Sequence, residues 1–209
     1  MLRRMTIRIF LTTLSISVFL LSMAGGSQAQ EFKKILPIEA YDMLNAMPDT
    51  YLIDVRTQAE YQFVGHPFKA YLFPYMFFTT QFSKAEDNQG YQFSAKNKDF
   101  LTEIGKVFKK TDNLLIICRE GVRSALAAKD LIEAGFKNVY HVTDGFEGAL
   151  FPYSEDPNKN KYFRALAKRS NIEGFEHRRR YGWQWWGLPW TYDMDPKYIY
   201  PPDLQALPK

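Results

Sequence analysis

Leu114-Leu115-Ile116-Ile117-Cys118-Arg119-Glu120-Gly121-Val122-Arg123-Ser124 is the stretch from which the fold of this chain can be read. Its first five residues are uniformly apolar, as expected of a central parallel strand covered on both faces. Residues 124–134 carry a helical pattern, and Gly135 is placed to end that helix. The loop between them lies where ligand sites form in open α/β sheets, at strand ends facing helix N-termini. Backbone N–H groups in such a loop can turn inward as an anion cradle. Gly121 can take backbone angles closed to other residues, and Ser124 suits a helix N-terminus. Helix dipole, cradle and the arginines Arg119 and Arg123 favour thiolate over thiol at Cys118. The plain alternative is an inert buried thiol, since a lone cysteine is most often a small buried hydrophobe.

Working outward, residues 37–46 and 99–109 read as helices, and 51–55, 70–73 and 138–142 as strands. Strands alternating with helices indicate an α/β domain with a mainly parallel sheet. Residues 30–34 read as a polar lead-in. Residues 74–96 read as an aromatic, irregular loop with contacts of its own, too long for an ordinary connection. Beyond Gly148 the pattern changes: residues 151–180 are polar, rich in lysine and arginine, and carry no clear strand. The last fifteen residues hold Pro196, Pro201, Pro202 and Pro208 and are expected to run extended over the surface.

With 209 residues, 46% hydrophobic and 24% charged, the chain suits one compact domain that needs neither disulfides nor a structural metal. Its only cysteine cannot form an internal disulfide. The formal charge of +4 falls to about +1 once Arg3, Arg4 and Arg8 are set aside, so charge gives no reason to expect nucleic acid. Those arginines precede an apolar run over 9–24 and the small residues Gly25-Gly26-Ser27-Gln28-Ala29, as in a cleavable export signal. The expected organisation is a signal peptide over 1–29, a domain over 30–195 with an insertion at about 149–181, and a Pro-rich extended tail over 196–209. Localisation would then be periplasmic or secreted, with no membrane association after cleavage. An uncleaved N-terminal anchor is the alternative.

The loop resembles the active-site loop of the rhodanese family, with the pattern Cys-x-x-Gly-x-Arg-Ser. Other segments match in order. Leu52-Ile53-Asp54-Val55-Arg56, Glu60-Tyr61 and Gly65-His66-Pro67 resemble the family's N-terminal segments. Ala134-Gly135-Phe136, Asn138-Val139-Tyr140 and Asp144-Gly145-Phe146-Glu147-Gly148 resemble its C-terminal ones. The resemblance spans residues 35–189 and implies a three-layer fold, a mainly parallel sheet with helices on both faces. It further implies that Cys118 attacks the outer sulfur of thiosulfate or a similar donor, forms a persulfide, and yields that sulfur to cyanide or a thiol. Cys118 would be catalytic, with Arg119, Glu120, Gly121, Val122, Arg123 and Ser124 lining the substrate site. Arg119 and Arg123 would hold the donor's charge, and Glu120 would point outward. Asp54 and Arg56 would form a buried pair supporting the loop, and His66 would be structural. No cofactor or metal is expected; His141 and His177 offer no metal spacing.

The chain departs from the family pattern twice. About thirty residues separate Gly148 from Gly182-Trp183 and Gly187-Leu188-Pro189, so the insertion should leave the body and return to complete the last helix. Residues 71–90 also replace a shorter family segment. Either addition could overhang Cys118 and set acceptor choice. Trp183, Trp185, Trp186 and Trp190 read as core cover and a C-terminal clasp; the alternative is an exposed aromatic face for a protein partner. A cysteine phosphatase is disfavoured, because its loop places five residues between Cys and Arg and this one places four. The competing function of a different class is a persulfide carrier loaded by a protein partner docked at the insertion or the aromatic C-terminal region.

Overall fold

The computed structural model describes residues 31–85, 90–150, 156–169 and 179–200. In chain order the elements are β1 (Lys33–Ile35), α1 (Pro37–Ala46), β2 (Thr50–Asp54), α2 (Gln58–Phe63), β3 (His66–Pro67), β4 (Tyr71–Leu72), β5 (Met76–Ser83), β6 (Gly90–Lys96) and α3 (Phe100–Val107). Then follow β7 (Asn113–Ile117), α4 (Val122–Glu133), β8 (Asn138–Val142), β9 (Gly148–Leu150), α5 (Pro157–Arg169), β10 (Arg179–Tyr181), β11 (Trp190–Thr191) and a 3-10 turn at Pro196–Tyr198. Five strands make a wholly parallel sheet in the order β1-β8-β7-β2-β4.

The apolar run that becomes β7 takes the centre of this sheet. Its residues alternate between faces, as strand geometry requires. Leu114, Ile116 and Cys118 join one core with Phe100 and Ile104 of α3 and Ala127, Ala128 and Leu131 of α4. Leu115 and Ile117 join the opposite core with Ala40 of α1, Tyr61 of α2 and Trp183. Helices therefore cover both faces, and the alternation puts Cys118 on the α4 side.

Several segments differ from the sequence reading. The polar lead-in forms β1, pairing Lys33, Lys34 and Ile35 with Tyr140, His141 and Val142. Its lysines suit an edge strand, which has solvent on one side. Within the stretch expected to be irregular, residues 76–83 and 90–96 are strands: β5 and β6 form an antiparallel ribbon, with Phe78 packed on Phe93 at 4.7 Å and Phe82 on Tyr91 at 5.4 Å. Register shifts beside Phe78 break the alternation by which strands are recognised. The ribbon's base is tied to α4, because the Tyr75 hydroxyl and the Lys96 ammonium donate to Asp130 at 2.9 and 2.7 Å.

The insertion leaves through β9 and returns through β10, an antiparallel pair where no strand was expected, with α5 between them. At this neck Gly148 and Gly182 lie so close that a Cβ on either would collide with backbone of the other. The expected last helix is a single turn, closed by Trp186 N–H to the Gly182 carbonyl at 3.2 Å. The described start of the expected extended tail, 196–198, is a 3-10 turn lying on the body. Tyr198 packs edge-on against Tyr71 at 4.8 Å and Tyr200 against Phe73 at 6.1 Å, covering the open edge of the sheet at β4. The proposed leader and residues 201–209 lie outside the described residues. Among the described residues no helix is long and apolar enough to cross a membrane.

The four tryptophans divide. Trp183 is 1% exposed and donates its indole N–H to the Pro189 carbonyl at 2.9 Å, whereas Trp185, Trp186 and Trp190 are 47%, 38% and 37% exposed. Trp183→Ala should therefore lose about 3–5 kcal/mol. Trp185→Ala should stay within about 0.5 kcal/mol of the parent. Urea unfolding of the two variants checks this split.

Candidate active site

Cys118 follows the last residue of β7, and its side chain is only 1% exposed, beneath the N-terminus of α4. The Gly121 N–H donates to Sγ at 3.1 Å, and the Ser124 hydroxyl lies 3.3 Å from the same sulfur. Gly121, not Ser124, is the N-cap of α4. Its φ of 102° is a left-handed conformation that turns the chain sharply enough to aim its N–H back at the sulfur. Ser124 instead sits in the first turn, fully buried, where its hydroxyl reaches both Sγ and the Gly121 carbonyl, the latter at 3.0 Å. The positive end of the α4 dipole adds to these donors.

The loop rests on the Asp144–Gly148 turn. Phe146 N–H donates to the Cys118 carbonyl at 2.8 Å and Glu147 N–H to the Arg119 carbonyl at 3.0 Å. Gly145 lies against this backbone with φ of 61°, where a Cβ would overlap the Cys118 carbonyl oxygen. The chain returning from the insertion holds the turn from below: Trp183 N–H donates to the Gly145 carbonyl at 2.9 Å and Gln184 N–H to the Phe146 carbonyl at 3.1 Å.

Two carboxylates engage the loop arginines. Both Nη groups of Arg123 donate to Glu60, at 2.7 and 2.6 Å, and the guanidinium is covered by the Phe93 ring at 4.8 Å. Arg123, expected with Arg119 to hold the donor's charge, is joined through Glu60 into a strut between α2 and α4. Burial would raise the Glu60 pKa, but the hydrogen bonds and charge of Arg123, helped by the Thr57 N–H, hold the carboxyl at about 2 against an ordinary 4.5. Burial also opposes the charge on Arg123, yet Glu60 and the nearby Cys118 raise its pKa. Arg119 donates Nε–H to Glu147 at 3.0 Å and remains partly exposed, while Glu120 and Val122 are exposed at the loop's outer side.

The rhodanese-like domain model matches residues 36–150, more than half of the chain. The chain belongs to the rhodanese-like domain family. It is 36% identical over 107 residues to "Thiosulfate sulfurtransferase 16, chloroplastic" of Arabidopsis thaliana, covering 51% of this chain and 78% of that protein. An uncharacterised protein of Rickettsia rickettsii is 35% identical over 117 residues, covering 56% of this chain and 85% of the relative. The crystal structure of Rv0390 from M. tuberculosis superposes with a TM-score of 0.54 at 28% identity, covering 78% of this chain and 99% of that one. The family match ends at Leu150, where the insertion begins.

Within this rhodanese-like domain, Asp54 and Arg56 are wholly buried and paired, with Nη2 to Oδ2 at 2.6 Å. The guanidinium also donates to the Gly65 carbonyl at 2.8 Å and lies over the Phe146 ring at 4.2 Å. The pair thus reaches the loop through the residue whose N–H holds the Cys118 carbonyl. His66 is buried, stacked on Tyr61 at 3.6 Å, with Nδ1 3.0 Å from the Tyr61 carbonyl. Reading the sequence gave no role to Glu60, Glu147, Phe93 or His141, although all four touch the loop or its arginines. Glu60 carried a signal, since Thr57-x-x-Glu60 is a capping box. Phe93 carried none, because the ribbon itself was unrecognised.

Glu60 titrates below its ordinary value, so the clamp's contribution is present above pH 4.5 and is lost as pH falls toward 2. Glu60→Gln should cost about 3 kcal/mol at neutral pH by leaving Arg123 unpaired. The gap from the parent should close as pH falls from 4.5 to about 2. Urea titrations across that pH range read both effects.

Proposed function

We propose that this protein is a sulfurtransferase that carries sulfane sulfur on Cys118. In the first half-reaction the Cys118 thiolate attacks the outer sulfur of thiosulfate or a similar donor. The new S–S bond forms as the donor's S–S bond breaks, and sulfite departs with the bonding pair. In the second, cyanide or a thiol attacks the outer persulfide sulfur and regenerates the thiolate, so ping-pong kinetics follow. The carrying observation is the buried sulfur facing the Gly121 N–H and the Ser124 hydroxyl at the head of α4. Such donors suit a sulfur that bears negative charge both before and after transfer. Arg119, partly exposed, is the loop cation placed to meet an anionic donor.

A second reading is supported by a specific observation. Phe78, Phe82 and Tyr91 are more than half exposed on the ribbon whose Phe93 covers Arg123, and Trp185 and Trp186 are exposed near the neck. These surfaces suit a persulfide carrier loaded by a protein partner, with little turnover of free thiosulfate. In either case we place the mature protein in the periplasm or outside the cell, on the strength of the basic, apolar leader.

The test is intact mass. Reduced protein incubated with thiosulfate should gain one sulfur atom, lose it to cyanide with release of thiocyanate, and turn over; Cys118→Ser should fold but do neither. Transfer by the serine variant would end the mechanism. A reactive thiol that takes no sulfur from thiosulfate would favour the carrier.

A further inference from the structure

His141 lies behind the active-site loop, and neither the family resemblance nor the proposed reaction uses it. It is 7% exposed on β8. Its register partner on β7 is Ile116, which puts it on the same face of the sheet as Cys118. Its Nε2 is 2.9 Å from the Gly121 carbonyl, which can only accept, so Nε2 carries the proton. Nδ1 is then bare, buried and without a hydrogen-bond partner. Burial, with the charge of Lys34 from β1, lowers the pKa of the ring against the opposing hydrogen bond to Gly121. Phe32 closes the site edge-on at 5.7 Å.

The Gly121 carbonyl faces three donors: Ala125 N–H at 3.1 Å, His141 Nε2–H at 2.9 Å and the Ser124 hydroxyl at 3.0 Å. A carbonyl oxygen has two lone pairs, and a hydroxyl has one proton. The Ala125 bond is the first of the helix and is fixed by the backbone. We propose that His141 is a positioning residue that occupies the second lone pair and so turns the Ser124 proton onto the Cys118 sulfur. Without His141 the hydroxyl has the carbonyl to satisfy it, at shorter range than Sγ, and the sulfur keeps only the Gly121 N–H. His141 therefore acts through Ser124 to stabilise negative sulfur. This inference rests on the reading of Cys118 as the reactive thiolate.

The test is a double-mutant cycle on His141→Leu and Ser124→Ala, read by the rate of Cys118 alkylation with iodoacetamide and by thiolate absorbance in the ultraviolet. Each single variant should alkylate roughly tenfold more slowly and lose thiolate absorbance, the effect of one hydrogen bond to a charged group. The double variant should be no slower than either single one. Should the leucine variant fail to fold, His141→Asn, polar but one bond too short to reach the carbonyl, takes its place. An unchanged rate without His141, or slowdowns that multiply to about a hundredfold in the double variant, would overturn the proposal. Alkylation needs no sulfur donor. A protein that never takes sulfur from thiosulfate would therefore favour the carrier reading while leaving the His141 result to stand or fall alone.

Discussion

The Cys118 sulfur, which we propose carries negative charge, is held 1% exposed at the end of a central strand, and the rest of the structure answers to that burial. A charge out of water is tolerated only where fixed donors replace the water. Here the donors come from one peptide N–H, one hydroxyl and the head of α4, and each depends on the path of four residues between Cys118 and Arg123. Gly121 makes that path possible with its left-handed turn, and Gly145 lets the supporting turn press against it. The buried Asp54–Arg56 pair then fixes Phe146 beneath the loop, and the Glu60–Arg123 clamp fixes α4 beside it.

The insertion is accommodated by the same supports. It leaves after the turn that carries the loop and returns two residues before Gln184, so its ends are pinned where Gly148 meets Gly182. The returning chain supplies Trp183 to the core and two N–H groups to the turn. Thirty added residues thus disturb the Cys118 loop little, because the contacts that hold the loop resume as soon as the chain re-enters. The ribbon formed by β5 and β6 is a different kind of addition. It is anchored on α4 through Asp130 and reaches the loop through Phe93 on Arg123, which couples an aromatic surface to the helix that follows Cys118.

How much of this was legible follows from how local each signal is. The run 114–118 and the helix after it could be read because burial on both faces and a 3.6-residue pattern are properties of contiguous sequence. The Cys118 loop was legible for the same reason, and its ordered neighbours carried the family resemblance. The ribbon was not, because aromatic residues on both of its faces and shifts in register erase alternation. β1 was not, because an edge strand needs no apolar pattern. The residue type of Ser124 favours the cap, whereas the conformation gives that place to Gly121. Arg123 illustrates the limit most directly: sequence shows a cation beside the cysteine, and only the fold shows that Glu60, sixty-three positions away, has both its Nη groups. His141 sits on the strand face of Cys118 by parity alone, but its contact with Gly121 depends on a loop whose path no sequence pattern reveals.

The claim that these donors hold a sulfur-loaded cysteine is tested most directly by a crystal structure of the protein after soaking in thiosulfate, with anomalous scattering used to locate sulfur. A second sulfur should be bonded to Cys118 Sγ and enclosed by the loop, with the Gly121 and Ser124 donors directed at the sulfur pair. Added sulfur bound elsewhere, or a Cys118 side chain swung away from the Gly121 N–H to carry it, would mean that these donors do not hold the loaded cysteine.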